Sequence, residues 1–459
     1  MRDPSKSQTD LSVKQSATKG SITMNRISWI CLIGLIGLIA FAVVLTIHNG
    51  ILIAAEEGTS SQQEEAQWQI GQKPCPEVRR AEQCALTAGN TEFAFDLFQT
   101  LWNPKDNLFF SPYSISLCLV MMYGGARGTT EEQMASALHF MLSQERLHIA
   151  FKALDLELAR YEERLLVTED EKFQLHLANS LWVEREYKLL ESYRKLLAMN
   201  YGATAESLDF ANSPEVSRQT INKWVSQETK KRIKELLPEG SITSSTRLVL
   251  TNAITFNATW KHRFNKEFTY NEPFYLFDDH QVTVPMMHQI TPFAYAATSS
   301  VQAVELPYIG DEFSMVILLP APGQFETFAK LLTADRVISI LGHLSKEMVQ
   351  VYMPRFEFRS SFRLSSQLKD MGMTDAFILG RADFTGMTKS RDLFLDEVYH
   401  QSIVSVDENG TFAAAGTAAD IPLPIVPTVE LNRPFIFLIR HIETGTILFV
   451  GQVVDPSAR

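Results

Sequence analysis

Residues Val404 to Phe437 read V-S-V-D-E-N-G-T-F-A-A-A-G-T-A-A-D-I-P-L-P-I-V-P-T-V-E-L-N-R-P-F-I-F. The stretch begins and ends as β-strand. Val404 and Val406 alternate with polar residues, and Phe435, Phe437 and Ile439 recur at every second position further on. What lies between fits no regular element. Ala413 to Ala419 is only Ala, Gly and Thr, and Pro422, Pro424 and Pro427 follow. Proline removes ladder donors and breaks helix interiors, so the second half is expected to stay exposed and extended. A loop of this length inside a compact domain is either functional or disordered. Composition alone reads as a flexible Ala/Gly linker. At a strand's period of two, however, one face carries Thr411, Ala413, Ala415, Thr417 and Ala419, with nothing larger than threonine and no charge. Such a segment can slide into the middle of an existing sheet without clashing with the core beneath. The opposite face carries Gly410, Phe412, Ala414, Gly416 and Ala418, so its one large residue would point outward.

The hinge of this loop, E-N-G-T-F-A-A-A-G-T, resembles the E-E-G-T-E-A-A-A-A-T hinge of the serpin reactive-centre loop. Other blocks carry the same resemblance in family order. N-L-F-F-S-P-Y-S-I-S at 107–116 resembles the helix B motif, and L-V-L-T-N-A-I-T-F-N-A-T-W at 248–260 the central strand leading to the breach. L-F-L-D-E-V-Y-H at 393–400 and N-R-P-F-I-F-L-I-R at 432–440 resemble the strands flanking the loop, and G-T-I-L-F-V-G-Q-V-V-D-P at 445–456 the C-terminal strand. The resemblance implies an α+β serpin fold with three β-sheets, eight to nine helices and an exposed reactive-centre loop over residues 91–459.

It also implies a function that lives in stored conformational energy. A target protease cuts the loop and is held as a covalent acyl-enzyme while the severed loop inserts as a new strand. The hinge residues carried over are Glu408, Gly410, Thr411, Ala413, Ala414, Ala415 and Thr417; Phe412 departs from the family's usual glutamate. Ser111, Ser114, Asn252 and His400 match the shutter, where polar contacts hold the main sheet closed, and Trp260 matches the breach aromatic. Each is also consistent with ordinary packing. Aligning D-I-P-L-P-I-V-P-T-V-E-L-N on the antitrypsin-like A-I-P-M-S-I-P-P-E-V-K-F-N puts the reactive bond between Leu423 and Pro424. Counting from Gly410 gives Pro424 before the cut, between Pro424 and Ile425. An apolar Leu423 suits an elastase- or chymotrypsin-like serine protease; a proline after the cut argues for Ile425 or for a cysteine protease. The alternative class is a non-inhibitory serpin acting as carrier, chaperone or adhesion protein.

A 459-residue chain with 45% hydrophobic residues can bury a large core, and a net charge of −11 argues against a nucleic-acid partner. Ile27 to Ile47 holds no charge over 21 residues, enough to span a bilayer as a helix. The segment before it carries five basic and two acidic residues, which favours a cytoplasmic 1–26. Residues 27–47 are therefore a transmembrane signal-anchor or a cleaved signal peptide. The folded part is expected outside the cytoplasm, anchored, or secreted if cleaved. Met24 is an alternative start. Residues 48–90, rich in Glu, Gln, Ser and Thr, read as a flexible linker. Within it Cys75 and Cys84 close a small loop or stay free; Cys118, in S-L-C-L-V-M-M, is expected in the core.

Helices are expected at 91–102, from Ser111-Pro112 to the glycines at 124–128, within 129–163, at 189–200 and over 222–237. The last would carry the basic run Lys230, Lys231, Arg232 and Lys234, read as a solvated face. Strands dominate from 246 onward. No G-x-S-x-G elbow, P-loop or H-E-x-x-H occurs, and the histidines do not cluster. The chain is expected to be a monomer, not an enzyme, with no cofactor and no metal. Asn257 and Asn409 stand in glycosylation sequons that are expected to play no part in an inhibitor.

Overall fold

A computed structural model of the chain describes residues 78–164, 173–202, 205–278, 280–410 and 426–458. The segments 1–26, 27–47 and 48–77, with Cys75, and the loop residues 411–425 lie outside the described residues. Among the described residues no helix is long and apolar enough to cross a membrane.

Helix α1 (Arg80–Leu101) opens the fold, followed by β1 (Leu108–Phe110), α2 (Pro112–Tyr123), α3 (Gly128–Ala137) and α4 (Gln144–Arg164). Then come β2 (Phe173–Glu184), α5 (Glu191–Tyr201), β3 (Ala205–Leu208), α6 (Pro214–Glu228) and β4 (Leu248–Ala258). The strands β5 (Thr269–Tyr275), β6 (Gln281–Ala297), β7 (Val301–Pro307) and β8 (Phe313–Pro320) precede α7 (Phe325–Lys330) and α8 (Ala334–Gly342). The chain ends with β9 (Ser345–Pro354), β10 (Phe356–Arg363), α9 (Ser365–Asp370), β11 (Glu397–Val406), β12 (Thr428–Glu430), β13 (Phe435–His441) and β14 (Ile447–Val453). This is α+β, with nine α-helices among the described residues.

Hydrogen bonding joins the strands into two networks. One has five strands in the order β10-β11-β4-β2-β3; the other runs β1-β14-β13-β8-β7-β6-β9-β12, with β5 also on β6. Two of the three sheets that the resemblance implies are thus continuous. The cause is β6, 17 residues long: its first part pairs with β5 and β9, and Ala294–Ala297 pair with β7.

All twelve residues of α2 are buried, as its sequence P-Y-S-I-S-L-C-L-V-M-M-Y requires, and the helix packs against β2, β4 and β14. Cys118 is in this core. Phe109 of β1 stacks on Phe449 of β14 at 4.8 Å, and Phe256 of β4 reaches the same ring at 5.5 Å. Aromatic contact therefore ties the two networks together. Gly451 is needed here, because a Cβ would come within 2.3 Å of the Phe437 ring.

Two sequence expectations are corrected. Residues 80–90, expected as the end of a flexible linker, belong to α1. Leu86, Gly89 and Asn90 are buried, and Asn90 Nδ2 donates to Ile447 O at 3.0 Å. The polar residues that suggested a tether form the outer face, where Arg146 pairs with Glu82 at 2.5 Å. The helix expected over 222–237 ends at Glu228 instead. Buried Asn222 captures the returning chain: its Oδ1 accepts from Leu236 N and Leu237 N at 3.0 and 2.9 Å, and its Nδ2 donates to Leu237 O at 2.9 Å. Lys230 and Lys231 take positive φ values of 48° and 66° in the turn that permits this. Asn222→Ala leaves these buried groups without partners. It is expected to lower stability by about 1–3 kcal/mol and to speed amide exchange in 229–237 ahead of the sheets, measured by urea unfolding and hydrogen exchange.

Candidate functional site

Strands β4 and β11 lie side by side in parallel, from Glu397 opposite Val249 to Ile403 opposite Thr255. The ladder stops there. Phe256–Ala258 of β4 continue alongside β2, and Val404–Val406 of β11 continue alongside β10. A wedge therefore forms at the C-terminal ends of both strands, and the chain leaves β11 at its mouth.

At the middle of the pair, Asn252 stands opposite His400 on one side and Asn179 on the other. Ser111 caps α2, its Oγ accepting from Ser114 N at 3.1 Å and donating to Leu448 O at 2.6 Å. Ser111 N donates to His400 Nε2 at 3.3 Å, which leaves His400 Nδ1 to donate to Asn252 Oδ1. Asn252 Nδ2 reaches Ser114 O at 2.7 Å, Ser114 Oγ at 2.6 Å and Asn179 Oδ1 at 2.5 Å. The four expected shutter residues thus form one network, fully buried, across the β4–β11 boundary. Asn179 is a member that the motifs did not reveal; its place opposite Asn252 is set by strand register. Ser402 Oγ, donating to Phe109 O at 2.6 Å, was missed as well.

At the wedge, Trp260 is buried, stacks on Tyr308 at 4.5 Å, and donates from Nε1 to Asp407 O at 3.1 Å. It is a core residue that also ties the residues after β4 to those after β11. Backbone bonds complete the closure: Trp260 N to Asn409 O at 2.9 Å and Phe264 N to Glu408 O at 2.8 Å. Gly410 bridges Thr259 with φ of 115°, and a Cβ there would lie 2.4 Å from both Ala258 O and Trp260 N. No other residue fits this approach. The Glu408 carboxylate is buried. Burial opposes its ionisation, but Arg355, donating from Nε at 2.8 Å and also from Nη2, and Thr269 Oγ1 at 2.5 Å outweigh it and hold the carboxyl below its usual range. Neither Arg355, at the break between β9 and β10, nor Thr269 carries a local sequence signal for this role.

Of the expected hinge, Glu408 and Gly410 are described; Thr411, Ala413, Ala414, Ala415 and Thr417 lie outside the described residues, as do Leu423, Pro424 and Ile425. The far end of the loop is tied to the other network, through Gln350 N to Pro427 O at 2.9 Å and β12 parallel to β9. Asn257 and Asn409, the two sequon asparagines, are buried.

A family model described as Serpin (serine protease inhibitor) matches residues 88–456. The chain belongs to the serpin family. It is 38% identical to a leukocyte elastase inhibitor of Xenopus laevis over 382 residues, covering 81% of this chain and 99% of the relative. Human Serpin B3 is also 38% identical, over 393 residues, 81% of this chain and 100% of that one. The structure of a thermophilic serpin, tengpin, in its native state superposes with a TM-score of 0.73 at 28% identity, covering 83% of this chain and 96% of that one. The serpin fold expected from the motifs is therefore the fold of this chain.

Burial pushes the His400 imidazole down to about 3, and likewise His148 to about 4. In an unfolded chain a histidine titrates near ~6.5. The unfolded state therefore takes up protons first as pH falls. The contribution of a neutral His400 is complete above about pH 6.5 and is lost progressively down to about pH 3. The melting temperature of the serpin is expected to be level above about pH 7 and to fall below about pH 6. His400→Gln should flatten the acid limb by about one proton, roughly 1.4 kcal/mol per pH unit, read from melting curves across pH.

Proposed function

We propose that this serpin is a suicide inhibitor that traps a serine protease as a covalent acyl-enzyme by inserting its cut loop between β4 and β11. The observation that carries the reading is the parallel pairing of these two strands, whose ladder stops short of their C-terminal ends. The chain leaves β11 through the Asp407–Gly410 turn, so a strand continuing from Gly410 down the sheet would run antiparallel to both neighbours. One parallel ladder is then exchanged for two antiparallel ones, and antiparallel pairing is slightly the more stable per residue. The small face of Thr411, Ala413, Ala415 and Thr417 would meet the core without a clash. Kinship with leukocyte elastase inhibitors and the apolar Leu423 favour an elastase- or chymotrypsin-like target, with the Leu423–Pro424 bond cut and Pro424–Ile425 as the alternative.

A second reading, a non-inhibitory serpin, draws on Phe412 in place of the family's glutamate and on the prolines around the reactive bond. A panel of serine and cysteine proteases separates the two. An inhibitor gives a complex stable on denaturing gels, releases a C-terminal peptide whose sequence identifies the bond, and melts far higher once the loop is cut. Thr411→Arg, which would bury an unpaired charge on insertion, should turn the serpin into a plain substrate. Covalent complexes from that variant would rule out insertion, and cleavage with neither complex nor stabilisation would favour the non-inhibitory reading.

We further propose that residues 27–47 anchor the inhibitor, with the folded part outside the cytoplasm. The full chain should then stay with membranes through alkaline carbonate washing, and release into the wash would exclude the anchor.

A further inference from the structure

The end of the five-stranded network opposite Trp260 carries a cavity of about 700 Å³. Three elements meet there. Glu184 is the last residue of β2, Arg247 directly precedes β4, and Ser390 and Asp392 lie in the segment leading to β11. Glu184 is only 3% exposed. Its Oε2 accepts from Ala211 N at 2.9 Å, and its Oε1 accepts no hydrogen bond. Lys188, Lys389, Glu186 and Glu191 line the same cavity, and two of its other polar groups are engaged. Arg247 Nη1 donates to Ser244 O and Thr246 O at 3.1 and 3.0 Å, and Asp392 accepts from Ser390 Oγ.

A buried carboxylate oxygen without a donor is costly, and the donors that best relieve it are charged N–H groups. A metal ion is poorly served, since among the described residues no three His, Cys, Asp or Glu side chains gather to hold one. We propose that this cavity binds a small organic cation, whose ammonium or guanidinium group donates to Glu184 Oε1, and that its occupancy holds β4 and β11 together. The second half rests on the loop-insertion reading. Neighbouring strands lie ~4.8 Å apart, so a strand entering between β4 and β11 would move Arg247 and the 390–392 segment apart by about that distance. The cavity would lose one wall. A ligand that prefers the closed form shifts the equilibrium toward it by its difference in affinity.

Butylguanidinium serves as the probe, with butanol as a neutral control and tetramethylammonium as a cation without N–H. At millimolar concentration butylguanidinium is expected to raise the melting temperature of the intact serpin by about 2 °C. The controls should not, and Glu184→Gln, which keeps the shape and removes the charge, should abolish the rise. No rise, an equal rise with either control, or a rise retained in Glu184→Gln overturns the site. On loop-cleaved protein the rise should fall at least about threefold; an undiminished rise overturns the coupling. Cleavage measured without the probe keeps the two readings apart. If cutting the loop leaves the melting temperature unchanged, loop insertion has failed, and the cation site stands or falls on wild type against Glu184→Gln.

Discussion

The structure turns on the seam between β4 and β11. It is a parallel pairing at the centre of an otherwise mixed sheet, made by strands separated by well over a hundred residues of chain. Neither strand has any covalent reason to stay beside the other. What keeps them together is a short ladder, the buried polar network at Asn252 and His400, and the bonds that tie residues 407–410 to Trp260 and Phe264. Around the seam the packing is dense. Helix α2 is buried on every side behind it, and the aromatic contacts of Phe109, Phe256 and Phe449 couple it to the second network. A rigid body with one soft seam moves at the seam, because close-packed cores do not deform continuously.

The loop is fastened at its two ends to different hydrogen-bonded networks. Gly410 is held at the wedge by a backbone approach that excludes any side chain, and Thr428–Glu430 are held on β9 in the other network. Among the described residues the polar clusters near the loop are locks: amide to imidazole, carboxylate to guanidinium, indole to carbonyl.

Much of this was legible in the sequence where the signal is local. Ser111-Pro112 announces the cap and first turn of α2, and L-V-L-T-N-A-I-T-F marks β4. The family motifs then brought Ser111, Ser114, Asn252 and His400 together, although 289 residues separate Ser111 from His400. What escaped was of two kinds. Strands of three or four residues such as β1, β3 and β12 are too short to show a period, and they exist because an edge was available to pair with. Partners such as Asn179, Thr269 and Arg355 are set by register and by chain crossings, which no window of sequence contains. The stretch at 229–237 failed for a related reason. Its residues favour helix, but a single buried Asn222 offers their backbone a better arrangement.

The two locks differ in kind, and the difference suits their places. At the mouth of the wedge the bond is ionic. Glu408 is buried and charged, and without Arg355 its carboxylate would keep only the Thr269 hydroxyl as a side-chain donor; the contact ties the end of β11 to the start of its neighbour β10. Deeper in the seam every group is neutral. Burial keeps the His400 ring uncharged, and its partners are an amide, hydroxyls and backbone. Neutral donors and acceptors can be passed from one partner to the backbone of an arriving strand with little electrostatic penalty, since neither state leaves a charge in the core. A charged group at position 400 would hold the seam more tightly but would have no partner once the strands parted. The charged contact thus lies beyond the C-terminal end of β11, and the neutral ones lie within the β4–β11 seam.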